Sequence, residues 1–128
     1  IMIAKDFRIG NLVGYKNKMY EIQTISEVYP TLNTMEFGVG VVDWDNIKPI
    51  ELTEHLLLKF GFTYSDTLKH WFKNWGRNGV TFIRFSQNKK CYQLQLAHNQ
   101  YATIQRGAHQ LQNLFYEITG EELTITKL

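Results

Sequence analysis

The chain has 128 residues, 44% hydrophobic and 14% aromatic, with a formal net charge of +2. That length favours one domain over two small, marginal cores, and the apolar content excludes disorder as the default. A single cysteine, Cys91, excludes an intramolecular disulfide and a thiolate zinc site, and suits a reducing cytosol. No apolar run is long enough to cross a membrane, and no signal-peptide pattern opens the chain; Met2, behind Ile1, reads as the natural start.

Residues 1–50 predict mostly β structure. Arg8-Ile9-Gly10-Asn11-Leu12-Val13 leaves a turn and enters a strand. Tyr15 to Met19 has the polar character of a hairpin turn, and Tyr20, Ile22 and Thr24 alternate with Glu21, Gln23 and Ile25 as in a half-buried strand. Phe37 to Trp44 is rich in Val and aromatics, with Gly38 and Gly40 suggesting curvature or a bulge. Such short strands suggest a small curved sheet or partial SH3-like barrel. Over 51–62 a short helix is expected: Thr53 can cap it, Glu54 suits its first turn, Leu56, Leu57 and Phe60 form the apolar stripe, and Gly61 with Phe62 stops it.

Residues 70–105 predict a four-stranded antiparallel meander, with strands near His70–Trp75, Val80–Phe85, Cys91–Leu96 and Tyr101–Gln105. A second helix is expected over 108–120. Leu111, Leu114, Phe115 and Ile118 would form its buried face, packed across the meander, and Gly120 its stop. Leu123 to Ile125 suggests a short edge strand. The whole reads as a single α+β domain over 1–128, with no internal repeat.

Charge is segregated along this pattern. Between Thr67 and Tyr116 stand seven basic residues, Lys69, Lys73, Arg77, Arg84, Lys89, Lys90 and Arg106, and no Asp or Glu. The first 66 residues carry six basic against nine acidic. A single positive face would attract phosphate or acidic surfaces; the alternative is strands that scatter these cations around the molecule. Aromatic residues are interleaved with them: His70, Trp71, Phe72, Trp75, Phe85 and Tyr92. Cations meet phosphates and exposed rings stack on unpaired bases, so Lys69, Lys73, Arg77, Arg84, Lys89, Lys90, Arg106, Trp75 and Tyr92 are the candidate nucleic-acid or partner contacts. The competing reading makes the rings core and the lysines a solvated outer face.

Catalytic signals are absent. His55, His70, His98 and His109 stand at no metal-ligand spacing, and no phosphate loop, nucleophile elbow or dinucleotide fingerprint occurs. Asp43 and Asp45, flanking Trp44, could hold a hard cation or simply end a strand. No cofactor, metal site or catalytic residue is assigned. On the second helix, His109, Gln110, Gln112, Asn113 and Glu117 are expected on the outer side, a polar surface or an ordinary solvated face.

Three islands, Arg8-Ile9-Gly10-Asn11-Leu12-Val13, Ile47 to Thr53 with Leu56 to Phe62, and His109 to Leu114 with Thr119 to Leu123, resemble a group of small proteins encoded by phages and prophages of Bacteroidota. They cover about a third of the chain, and 63–107 departs from the group's pattern. The resemblance implies expression in the cytoplasm of an infected bacterium. By analogy with other small phage proteins, it implies binding to host machinery, of which a CRISPR effector with its guide RNA is one example. The expected function is therefore a non-enzymatic binding protein acting on a nucleic acid or nucleoprotein, an anti-CRISPR inhibitor being one form. Alternatives are an adaptor contacting protein alone, through a helix face or strand edge, and a small enzyme such as a nuclease using His70, His98 or His109. A homodimer closing on an apolar sheet face also remains open.

Overall fold

The computed structural model describes residues 7–25, 31–34, 38–42 and 46–125. They form a strand-rich α+β protein with two antiparallel sheets and two helices. Read from sequence, 1–128 is one domain; by contact the residues group into two compact units. The first runs to Glu51 and takes in Arg106–His109, and the second combines Leu52–Gln105 with the residues from Gln110 on.

The first unit holds a four-stranded meander in the order β1 (Leu12–Tyr15), β2 (Lys18–Thr24), β3 (Thr31–Thr34) and β4 (Gly38–Val41). Lys16 and Asn17, at φ 49° and 63°, make the two-residue turn expected after Tyr15. The turn before β1 is fixed locally: the Arg8 N–H donates to Asn11 Oδ1 at 2.7 Å, and Gly10 takes φ 94°. Phe7, Val13, Ile22 and Ile47 form the core, with Tyr15, Tyr20, Ile25 and Val42 against it. Gly14 and Lys48 exchange backbone hydrogen bonds of 2.8 and 2.9 Å. Asp43, Trp44 and Asp45, and with them the suggested cation pair, lie outside the described residues.

The second unit begins with α1 (Glu54–Lys59), shorter than the expected span of 51–62. Its flanks are caps rather than helix. Thr53 Oγ1 accepts the Leu56 N–H at 3.2 Å. At the far end Phe62 N–H donates to Leu57 O and Gly61 N–H to Leu58 O, both at 3.0 Å, with Gly61 at φ 92°. That reverse pair of bonds around a left-handed glycine ends the helix and turns the chain into the sheet.

The sheet that follows has five strands where four were expected: β5 (Thr63–Ser65), β6 (His70–Trp75), β7 (Gly79–Ser86), β8 (Cys91–Ala97) and β9 (Gln100–Ile104), paired in chain order. β5 was missed because three residues are too few to show alternation. One face of the sheet is core: Trp71, Ile83, Tyr92, Leu94 and Ile104 are buried with Leu57, Phe60 and Phe62. Burying each large side chain contributes about 1.5–3 kcal/mol.

α2 (Ala108–Thr119) ends at Gly120, φ 75°, as the sequence suggests. Its buried stripe is rotated from the expected one. Leu111 and Phe115 are buried as expected, but Ile118 is exposed, while His109 and Gln112 are 2% exposed. Amphipathic periodicity treats an amide as a surface group. Gln112 is buried because its Nε2 donates to Leu123 O at 2.9 Å, which satisfies the amide inside the core. The same bond holds Leu123 from the side, and residues 122–125 are coil where an edge strand was expected over Leu123 to Ile125. Phe115 meets Phe62 edge-on, centroids 6.4 Å apart. No helix among the described residues is long and apolar enough to cross a membrane.

Candidate functional site

Two hairpins of the five-stranded sheet repeat one pattern. Tyr64-Ser65-Asp66-Thr67-Leu68-Lys69-His70-Trp71 recurs twenty-one residues later as Phe85-Ser86-Gln87-Asn88-Lys89-Lys90-Cys91-Tyr92. Both share an aromatic, Ser, three variable residues, Lys, one further residue and an aromatic. The likeness is local to the two hairpins: of eight positions Ser and Lys are identical and two aromatics are equivalent.

The shared residues are those the geometry uses. The Lys69 N–H donates to Ser65 O at 2.8 Å and the Lys90 N–H to Ser86 O at 2.7 Å. Ser65 Oγ accepts the Leu68 N–H, and Ser86 Oγ the Lys89 N–H, each at 3.2 Å. Lys69 and Lys90 close the turns in the left-handed region, at φ 60° and 55°. The matched turns set matched registers, Tyr64 opposite Trp71 and Phe85 opposite Tyr92. Each pair then packs edge to face, at 5.3 Å and 5.1 Å between centroids.

Since β6 and β7 are neighbours, both aromatic pairs project from the same sheet face at the end where the twin turns lie. They line an open hollow of ≈ 700 Å³ with Lys69 and Gln87 from the turns and Glu54 from the first turn of α1. Trp71 and Tyr92 form its buried part, at 7% and 8% exposure. Tyr64 and Phe85 stand 42% and 44% exposed. Large rings left this open are the informative observation, because the sheet gains little from them where they stand. Burial, and after it the charge of Glu54, push the Tyr92 phenol above its usual value.

The sequence-predicted residues divide around this hollow. Lys69 and Tyr92 line it. Lys89 and Lys90 lie exposed on the second twin turn, at the same end of the sheet, and Arg77 lies exposed on the turn at the opposite end. Lys73 is half-buried beside Gly61. Trp75 is half-buried with its indole against Gly79. Arg84 sits on the other sheet face, its guanidinium over Tyr101 and its Nε donating to Gln93 Oε1. Arg106 is exposed after β9. The positive potential is thus spread over both ends and both faces, with its closest association to exposed rings at the twin turns.

Sequence reasoning missed Tyr64, Glu54 and Gln87 as site residues and left Trp71 and Phe85 among the interleaved aromatics. The paired aromatic–Ser–x3–Lys–x–aromatic pattern was the signal that could have found the rings. The histidines are dispersed: His55 and His98 are exposed, His70 is half-buried near Phe82, and His109 is buried against Phe7 at 4.4 Å. Among the described residues no group of three or more His, Cys, Asp or Glu could hold a metal ion. Comparison with protein-family models, curated proteins and solved structures finds no match to this chain.

Proposed function

We propose that this chain is a non-enzymatic binding protein that takes single-stranded nucleic acid, free or within a nucleoprotein, into the hollow of its five-stranded sheet. The observation that carries this reading is the repeated hairpin. Twice the same local sequence places an edge-to-face aromatic pair below a lysine-closed turn, leaving Tyr64 and Phe85 open to solvent. An exposed ring stacks on an unpaired base for about 1–3 kcal/mol, and lysines at the mouth meet its phosphates. Binding acts by occupancy, with no bond made or broken. The resemblance to phage-encoded proteins supports a host nucleoprotein as the target, and a CRISPR effector with its guide RNA has the required chemistry: exposed unpaired RNA on a protein surface.

The test is a fluorescence anisotropy titration of a labelled single-stranded 15-mer RNA and its duplex, at low and high salt. Single-strand binding that weakens with salt and falls about tenfold or more in the Tyr64→Ala/Phe85→Ala variant is expected. Absence of binding, or binding indifferent to those two rings, overturns the reading. A host protein captured equally well after nuclease treatment and at high salt supports the adaptor alternative instead.

A further inference from the structure

The repeat is broken by one feature. Both hairpins contribute rings, but among the described residues one acidic side chain, Glu54 from α1, lines the hollow, opposite in charge to Lys69 and accompanied by the Gln87 amide. From this juxtaposition we infer that the hollow selects guanine among the bases of a single-stranded nucleic acid, with Glu54 reading its Watson–Crick edge. The inference rests on the proposed stacking function and specifies its ligand.

A carboxylate only accepts hydrogen bonds, through two oxygens that suit two adjacent donors. Guanine alone among the four bases presents that pair, N1–H and the N2 amino group, side by side. Adenine and cytosine each place a ring-nitrogen acceptor beside their amino group, and uracil flanks N3–H with two carbonyl oxygens. In each of these cases the carboxylate gains at most one bond and faces an acceptor. Guanine also carries O6 next to N1–H, an acceptor that the Gln87 amide or the Lys69 ammonium can meet from the turn side.

The two charges of the hollow also argue against its simplest rival occupant. A bare organic cation would suit the rings and Glu54, but it would face the Lys69 ammonium. A guanine nucleotide uses both signs: the carboxylate takes the donor edge, and the lysine takes O6 or the phosphate. Glu54 also follows the capping residue Thr53 and is itself exposed, so changing it leaves the cap bond from Leu56 N–H in place.

The experiment uses the full chain and five labelled RNA pentamers: UUGUU, UUAUU, UUCUU, UUUUU and UUGUU with inosine at the centre. Tightest binding is expected for UUGUU, about tenfold over the A, C and U forms. Inosine, which keeps N1–H but lacks the N2 amine, should fall between. Glu54→Gln, which keeps the shape but replaces one acceptor with a donor, should erase the preference while UUUUU binding stays or rises slightly. Equal affinity for all pentamers, or a guanine preference that survives Glu54→Gln, overturns the guanine inference and leaves the stacking reading standing. Failure of every pentamer to bind, in a chain whose circular dichroism shows it folded, overturns both.

Discussion

Arg84 lays its guanidinium 3.5 Å from the centre of the Tyr101 ring while its Nε donates to Gln93 Oε1 at 2.9 Å. Gln93 in turn reaches Thr103 Oγ1 at 3.4 Å, so a polar ladder crosses β7, β8 and β9 on the face opposite the hollow. The ring and the amide anchor this arginine on the face away from the hollow. Arg84→Lys keeps the charge but loses the plane and the fork. It should cost about 1–2 kcal/mol in urea denaturation and leave RNA affinity within about twofold. A loss of affinity as large as that of the ring variants would move the contact surface to the Arg84 face.

The twin turns separate charge from conformation. A side chain in the left-handed region carries a steric cost that glycine avoids, while glycine loses more entropy on folding. Lys69→Gly and Lys90→Gly should therefore leave thermal stability unchanged or raise it by up to about 1 kcal/mol. Only Lys69 lines the hollow. Its replacement should weaken RNA binding severalfold and reduce the salt slope by about one, and Lys90→Gly should do less. Equal effects would mean that the lysines act as a diffuse field rather than as placed groups.

These two cases show where the sequence was legible. Glycine stops and the Thr53 cap act within a few residues, so α1, the end of α2 and most of the meander could be read directly. Alternation identified the strands of five or more residues and missed the three-residue β5, which carries Tyr64. Which face a residue occupies, and what covers it, depends on pairings distant in sequence. That is why Arg84 read as a free cation, Gln112 as a surface amide and Trp75 as a stacking ring. The acid-free span was a true property of the sequence, but strand alternation divides its cations between two faces and two ends. Glu54 was legible only as a helix-start residue, since nothing local brings α1 to the rim of the hollow.

Trp75 gives a third expectation. A β-carbon added at Gly79 would overlap the Trp75 indole, and no positive φ contributes to the conflict. The indole Nε1 is buried with no hydrogen-bond partner among the described residues, so the ring is held by packing alone. Gly79→Ala should displace it, costing about 1–3 kcal/mol and shifting tryptophan emission to the red. In a Trp75→Ala background the same change should cost far less, because the overlapping partner is gone. RNA affinity should stay unchanged when measured well below the melting temperature. A cost that persists in the Trp75→Ala background would place the conflict in the backbone of the β6–β7 turn.

The Tyr92 phenol gives the protein an alkaline limit. Its value lies above the ordinary 10.0 because burial, and secondarily the Glu54 charge, disfavour the phenolate. The folded chain therefore holds the proton more tightly than the unfolded chain. The corresponding stability is fully present below pH 10 and is lost as pH rises through the raised value. Melting temperature should be flat in this respect up to about pH 10 and then fall. Tyr92→Phe should flatten the fall at the expense of the hydroxyl at the hollow's edge, and Glu54→Gln should make the fall shallower, with its start unmoved near pH 10, by removing the smaller cause. A fall of the same depth in Tyr92→Phe would place the alkaline-sensitive group elsewhere in the chain.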